Sequence, residues 1–143
     1  DKDGNITPKI KISENVGKIT NPHFKKVCRL YDRDGMALAD QICVHDEVID
    51  PTKPLTIFDQ FAVWKTKTLT DFTVRELQVP VFRHGELVYK LPTLKEIKAN
   101  CEKELDTLWD EVKRFENPHN YYVDLSEKLW RIKNQLLCAH KVD

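Results

Sequence analysis

The sequence predicts an α+β domain: a small antiparallel β-sheet or barrel followed by two packed, amphipathic C-terminal helices. Three observations predict it. In the middle of the chain, short β-branched and aromatic segments alternate with turn residues, as in antiparallel sheets. In the last third, apolar residues recur in steps of three and four, which is the period of a helix with one apolar side. Each of the two helical stretches opens on a capping-box sequence.

The first strands are predicted from alternating residues and a tight turn. Residues 9–13 carry isoleucines at alternate positions and are expected to form a short edge strand. Residues 24–31 and 36–44 form two strands joined by a turn, in which Gly35 supplies the positive φ that the return needs. Because apolar residues of the second strand share one face, interrupted only by Asp40, that strand is expected to be half-buried.

The middle of the chain supplies the rest of the predicted sheet. Pro80 places its own segment at a sheet edge or a bulge, because proline cannot donate to the strand ladder. His84 and Gly85 form a two-residue turn between strand-like segments, which is typical of a hairpin. The further short strands expected from β-branched and aromatic residues are 55–58, 61–65, 72–77 and 79–82.

Two helices are expected in the last third. Thr93 and Glu96 form a capping box, in which the hydroxyl accepts a hydrogen bond from the first turn and the carboxylate reaches back. Apolar residues across 94–115 then predict one helix of about six turns. Asp124 and Glu127 form a second capping box before another apolar stripe, which predicts a second helix packed on the first.

Composition and charge exclude several classes of protein. Lys and Arg together number 23, as do Asp and Glu, so no net charge steers the chain toward nucleic acid or an anionic membrane. The apolar stretches are shorter than the roughly 18 residues of a membrane span. The four cysteines lie far apart, which is typical of reduced thiols in a cytoplasmic protein. Its four glycines never cluster, so a glycine-rich phosphate loop is excluded.

Two Cys-x-His pairs raise a metal hypothesis. A set of two cysteines and two histidines suits zinc. On a strand, the first pair would face one side, whereas the second pair would lie about 200° apart on a helix. Since the spacing matches no zinc module, buried thiols beside surface histidines are the favoured interpretation and no metal is predicted. The hypothetical zinc set is Cys43, His45, Cys138 and His140.

A lysine-rich segment near the start gives the best candidate for phosphate contacts. Lys11, Ser13 and Lys18 lie in a stretch with little hydrophobic content. Ammonium and hydroxyl groups are phosphate ligands. A solvated edge strand and loop explains the same residues, and the residues alone favour that explanation.

This segment also resembles a known family. Residues 11–20 are similar to the signature Lys-x-Ser-x-x-x-(Gly)-Lys-x-Thr near the end of nicotinate phosphoribosyltransferases. The remainder resembles the extra C-terminal domain of the longer members, although this chain has His23 and Cys28 where the family often has glycine and an aromatic residue. The resemblance covers nearly the whole chain, and its other matching segments are 24–29, 36–42, 85–88, 91–96, 117–121 and 125–129.

The resemblance implies a piece of a longer enzyme of NAD biosynthesis. Such a parent joins nicotinate to phosphoribosyl pyrophosphate with ATP and Mg²⁺, in an upstream α/β barrel that is usually completed by a homodimer partner. Residues 1–22 are then expected to be an extended tail of the catalytic core, and 23–143 the C-terminal domain. By itself this piece is expected to hold no catalytic residue, bind no cofactor and be inactive. In the parent, Lys11, Ser13 and Lys18 are expected to lie beside substrate or phosphate.

The expected partner is therefore the barrel of the same polypeptide, and neither nucleic acid nor a membrane. Two alternatives stay open. One is a stand-alone module that binds a protein or single-stranded nucleic acid, and the other is a zinc-dependent structural domain. A stand-alone module should not expose a large apolar patch, whereas a domain without its barrel should.

Overall fold

A computed structural model describes residues 2–139. Its centre is a four-stranded sheet in which two antiparallel strands are flanked by one antiparallel and one parallel neighbour. The strands follow the order β5-β1-β2-β8, with β1 at Lys25–Tyr31, β2 at Ala37–Val44, β5 at Thr73–Glu76 and β8 at Val123–Leu125. Of these, β8 is the parallel one, and it pairs with β2.

Two antiparallel ribbons and three helices complete the described chain. A 3-10 turn, Val16–Lys18, precedes the sheet. The ribbons are β3 (Leu55–Phe58) with β4 (Thr66–Leu69), and β6 (Phe82–Arg83) with β7 (Glu86–Leu87). The helices are α1 (Leu94–Asp106), α2 (Asp110–Lys113) and α3 (Glu127–Ala139).

The turn between β1 and β2 forms for the predicted reason. Asp32 Oδ1 accepts hydrogen bonds from the backbone amides of Asp34 and Met36, at 3.0 and 2.8 Å. Gly35 has a φ of 80°, a conformation that costs a residue with a Cβ more than it costs glycine. The predicted pairing of the two strands around this turn is confirmed.

Two apolar clusters hold the sheet, one on each side of β2. Side chains of β1 to β4 form the first, around Leu30 and Ala39, which are 0% and 1% exposed. Val44, Leu125 and Leu129 form the second, which joins β2 and β8 to α3. Because Ala39 and Val44 are an odd number of positions apart, they point to opposite faces of the strand.

The α+β class is confirmed, and the sheet is open, not a closed barrel. It is mixed, because β8 is parallel to β2. Buried residues occur at both odd and even positions of β2, so the expectation of a half-buried strand was wrong. The reason is that an apolar cluster covers each face of β2, one around Ala39 and the other around Val44.

Three predicted strands are corrected. Residues 9–13 form no strand, and their segment closes instead as a loop through a hydrogen bond from Lys11 N to Thr20 Oγ1 at 3.2 Å. Residues 61–65 form a turn, because the backbone amides of Phe61 and Ala62 donate to Asp59 Oδ1. Strand β4 begins only at Thr66. Of residues 79–82, only Phe82 is in a strand.

The helices also differ from the prediction. The first capping box is present at Thr93, but α1 ends at Asp106, where the Thr107 hydroxyl donates to Glu104 O at 2.7 Å. The second predicted helix is α3, and it is capped by Ser126, whose Oγ accepts from Leu129 N at 3.2 Å. The residue predicted to cap it, Asp124, lies in β8 instead. Since α1 buries no side chain, the helices do not form the packed pair that was predicted.

Within residues 2–139, no helix is long and apolar enough to cross a membrane.

Candidate functional site

The lysine-rich segment forms a loop closed at its base. Lys11 N donates to Thr20 Oγ1, which brings the two ends of the loop together. Inside it, Ser13 Oγ accepts from Asn15 N at 3.3 Å, and Asn15 Oδ1 caps the 3-10 turn by accepting from Gly17 N at 3.0 Å. Lys11 and Lys18 are exposed and Ser13 is half-buried. Their side chains therefore lie on one ordered loop whose lysines face solvent.

A buried lysine of α3 attaches this loop to the domain. Lys133 is 9% exposed, and its Nζ donates to Asn21 Oδ1 at 2.8 Å and to Gln60 Oε1 at 3.0 Å. Its ammonium also lies 5.8 Å from the centre of the Phe61 ring. Burial lowers the pKa of Lys133. On the same stretch, Lys25 Nζ donates to three successive carbonyls, starting with Asn21 O at 2.9 Å.

A cavity of about 130 Å³ lies between this loop and α3. Its walls are mostly apolar, with the Lys133 and Gln60 side chains at the polar part. Because Val16 and Ile19 belong to the loop while Trp130 belongs to α3, the cavity lies at the seam between the two. The lining side chains are Val16, Ile19, Gln60, Phe61, Trp130, Lys133, Asn134 and Leu137.

A second polar group lies on the sheet. Arg29 and Asp40 are opposite each other in β1 and β2, and the guanidinium donates two hydrogen bonds to the carboxylate, at 2.8 and 2.9 Å. The Tyr121 hydroxyl donates to Asp40 Oδ1 at 2.9 Å. Burial, together with that carboxylate, raises the pKa of Tyr121. Since these groups satisfy one another, the network is a structural one that ties β1 and β2 to the segment before β8.

The hypothetical zinc ligands can be placed only in part. Cys43 is buried and its thiol donates to Gln41 O at 3.7 Å, while Cys138 is exposed in the last turn of α3. His140 lies outside the described residues. Burial raises the pKa of Cys43 to about 12. Among residues 2–139, no three metal-ligating side chains converge.

Two polar features, the contacts of Lys133 and the Arg29–Asp40 network, escaped the sequence interpretation, although each left a signal. Lys133 follows Leu129 by four positions, so it lies on the apolar side of α3, where a lysine needs polar partners. Asp40 interrupts an apolar strand face, and such an interruption indicates a buried partner of opposite charge. Neither signal names the partner, because Gln60 and Arg29 come from distant parts of the sequence.

Fold and site together define a class of protein: a small α+β domain in which α3 packs on the sheet while α1 buries no side chain. Residues 24–133 match the family of the nicotinate phosphoribosyltransferase C-terminal domain. The chain belongs to that family.

Individual proteins that resemble the chain carry the name of the same family. The chain is 35% identical over 136 residues to nicotinate phosphoribosyltransferase of Bacillus subtilis (strain 168), a match that covers 94% of this chain and 28% of that protein. It is 33% identical over 137 residues to the Homo sapiens protein of that name, covering 92% and 24%. The crystal structure of human nicotinic acid phosphoribosyltransferase superposes with a TM-score of 0.73 at 28% identity, over 82% of this chain and 24% of that one. This chain thus spans about a quarter of their length.

Proposed function

We propose that this domain is the C-terminal accessory part of a nicotinate phosphoribosyltransferase. In this proposal the parent joins nicotinate to phosphoribosyl pyrophosphate, with ATP and Mg²⁺, in a barrel that lies outside this chain. The observation that carries it is the family match over residues 24–133, together with relatives that are about four times as long. The domain would support that barrel and would be inactive alone. The parent would be a cytoplasmic homodimer.

Within this proposal, the loop of residues 11–20 is the part of the chain closest to the chemistry. Lys11, Ser13 and Lys18 would approach a phosphate group of substrate or product. What supports this is the exposure of both lysines on an ordered loop that Lys133 attaches to the domain. Residues 1–22 would belong to the catalytic core and 23–143 to the accessory domain.

The test of the accessory role uses the full-length polypeptide with and without this domain. Formation of nicotinate mononucleotide should be lost or greatly reduced without the domain, and residues 1–143 alone should form none. Full activity of the truncated polypeptide would contradict the accessory role. Turnover by residues 1–143 would contradict the location of the chemistry.

The loop has a test of its own. In the full-length polypeptide, Lys18→Ala should lower kcat/KM by at least about tenfold, because a charge-assisted contact contributes about 1.5–3 kcal/mol, and leave the Tm unchanged. Lys9→Ala is the matched control, since Lys9 is another exposed lysine of the same stretch. Unchanged kinetics in the Lys18 variant would reject a phosphate contact there.

A stand-alone binding module is the less favoured alternative. Phe82 and Leu94 are 64% and 82% exposed, and they are only two of many large apolar side chains that lie open. A soluble module that works alone rarely leaves such a patch. A fluorescent hydrophobic probe should therefore bind residues 1–143 strongly, and a folded chain that does not bind it would favour the module.

A further inference from the structure

Between β5 and α2 the chain leaves the sheet as an arm, which we define as residues 79–106. The arm contains the β6–β7 hairpin and α1. Every residue in it except Glu104 is exposed, and neither the hairpin nor the helix buries a side chain. It is thus a regular structure without a core of its own.

One side of α1 is an apolar stripe that faces solvent. Leu94, Ile97 and Leu105 recur in helical steps and are 82%, 51% and 47% exposed. Cys101, also exposed, fills the gap between them. A stripe of this kind normally lies against another element, and here all of its members are exposed.

The hairpin repeats the pattern on both of its sides. Phe82 is paired with Leu87, and these are 64% and 52% exposed. In the next pair, Val88 N donates to Val81 O at 2.9 Å. Because neighbouring pairs of a ribbon point to opposite sides, each side of the hairpin presents apolar side chains to solvent.

The arm is nevertheless held at both ends. At its start, Leu77 N donates to Val27 O at 2.9 Å, and at its end Ala37 N donates to Thr107 O at 2.8 Å. Glu104, the one arm residue that is not exposed, accepts from Arg29 at 3.3 Å and also from Arg75. The arm therefore has a defined root on β1 and β2.

Such an arm needs a surface to pack on. A single helix shorter than about 12–15 residues is marginal in water, and an isolated two-stranded hairpin is marginal too. Lys and Glu residues alternate along α1, so no net charge favours nucleic acid or an anionic membrane. Apolar stripes flanked by balanced charge favour a protein surface.

We propose that the arm docks this domain onto the upstream part of the same polypeptide, with the α1 stripe and the hairpin forming the contact. This rests on the proposed function, because it takes the upstream part to be the catalytic region. The length outside this chain supports that occupant: about three quarters of each relative lies outside the matched part. The root of the arm also lies beside Val27, close to where the N-terminal segment joins the sheet.

A covalently linked surface has an advantage over a second copy of this chain. Linkage by a short segment gives an effective concentration of about a millimolar, so a contact too weak to form a dimer is occupied within one polypeptide. The arm of residues 1–143 alone is accordingly open, and the arm of the full-length polypeptide is covered.

Hydrogen exchange followed by mass spectrometry tests the proposal on both polypeptides. In residues 1–143, the α1 amides should exchange rapidly at low and at high protein concentration. In the full-length polypeptide they should exchange at least about tenfold more slowly, a factor that corresponds to about 1.4 kcal/mol. Equal exchange in the two polypeptides would overturn the proposal. Protection in residues 1–143 that grows with concentration would also overturn it and would identify a second copy as the occupant.

A pair of variants of the full-length polypeptide identifies the surface. Leu94→Ser with Ile97→Ser should abolish the protection of α1. Lys95→Ser with Lys103→Ser is the matched control, since it introduces two serines on the other side of the helix. In this control variant, the protection of α1 should persist. Protection that survives in the Leu94 and Ile97 variant would reject the stripe as the contact.

These results separate the proposal from the proposed function. If deletion of the domain abolishes activity while α1 stays unprotected in the full-length polypeptide, the accessory role stands and the docking proposal fails. If α1 is protected but the truncated polypeptide keeps full activity, the docking proposal stands and the accessory role fails.

Discussion

The helices α1 and α3 are both 13 residues long and both amphipathic, yet they have opposite surroundings. Leu129 of α3 is 0% exposed against the sheet, whereas Leu94 of α1 is 82% exposed. An apolar stripe in the sequence therefore indicates that a helix face will be covered, and it does not say whether the cover belongs to the same domain. In this chain, the stripe of α3 is covered by the sheet and the stripe of α1 is exposed.

The strongest test of this contrast truncates one leucine in each helix. Leu129→Ala should lower the free energy of unfolding by about 3–4 kcal/mol, because it leaves a cavity between β2, β8 and α3. Leu94→Ala should change it by less than about 0.5 kcal/mol, since that side chain is already in water. Chemical denaturation of residues 1–143 measures both. Equal losses would mean that α1 is packed as tightly as α3.

The next largest effect is expected in the network of Arg29, Asp40 and Tyr121, which lies where the arm joins the sheet. Asp40→Ala should cost about 3 kcal/mol, because it leaves the partly buried Arg29 guanidinium and the Tyr121 hydroxyl without their shared acceptor. The control is Arg33→Ala, which removes an exposed ion pair with Asp71 and should have no measurable effect on the denaturation midpoint. If the two variants were equally stable, the network would contribute nothing to the sheet.

The predictability of the fold follows the same division between local and distant causes. The turn at Gly35 and the capping box at Thr93 were predicted because every atom they need lies within four residues. The break of the long helix at Thr107 was not predicted, because apolar spacing continues across it and the hydroxyl that ends α1 is one of many threonines. A strand at residues 9–13 was expected from alternation alone, which cannot show that no neighbouring strand is available to pair with it.

The candidate site also combines a local feature that the sequence predicted with a distant contact that it could not predict. The signature in residues 11–20 pointed to the loop, but its attachment through Lys133 and Asn21 joins positions that are 112 residues apart. No spacing rule connects residues so far apart. The openness of α1 was also beyond the sequence, since its stripe is as regular as that of α3. Only the three-dimensional arrangement shows that the domain has a covered and an uncovered side.

A smaller effect is expected where a helix has no packing to support it. Thr93→Ala should destabilise α1 locally by about 1 kcal/mol, because the Thr93 side chain accepts from Glu96 N and its backbone amide donates to Glu96. Global unfolding should not change, since the arm contributes nothing to the core. Hydrogen exchange of residues 1–143 should show that amides in the first turn of α1 exchange several-fold faster in the variant than in the unchanged sequence. Ser126→Ala in α3 is the comparison, and it should lower the global unfolding free energy because Ser126 is buried.

The smallest effect comes from a charge in the packed half. Asp124 in β8 is 7% exposed, and burial, with a lesser contribution from Asp59, raises its pKa. Folding therefore favours the neutral carboxyl, so this contribution to stability is complete below the ordinary pKa of 3.8 and is lost as the pH rises through the raised pKa of the folded state. Asp124→Asn should raise the Tm slightly at neutral pH, and this gain should disappear as the pH falls below the ordinary value of 3.8.

Thermal unfolding between pH 3 and pH 8 measures that difference, with Asp110→Asn as control. The Asp110 side chain is 95% exposed beside Lys113 in α2, so its replacement should leave the Tm unchanged across the range. A gain for Asp124→Asn that stayed constant with pH would mean that packing or hydrogen bonding, not charge, is responsible. A loss at neutral pH would mean that the carboxylate is stabilised where it lies. The packed half of the domain would then hold a buried carboxylate without loss of stability, just as the open half holds its exposed leucines.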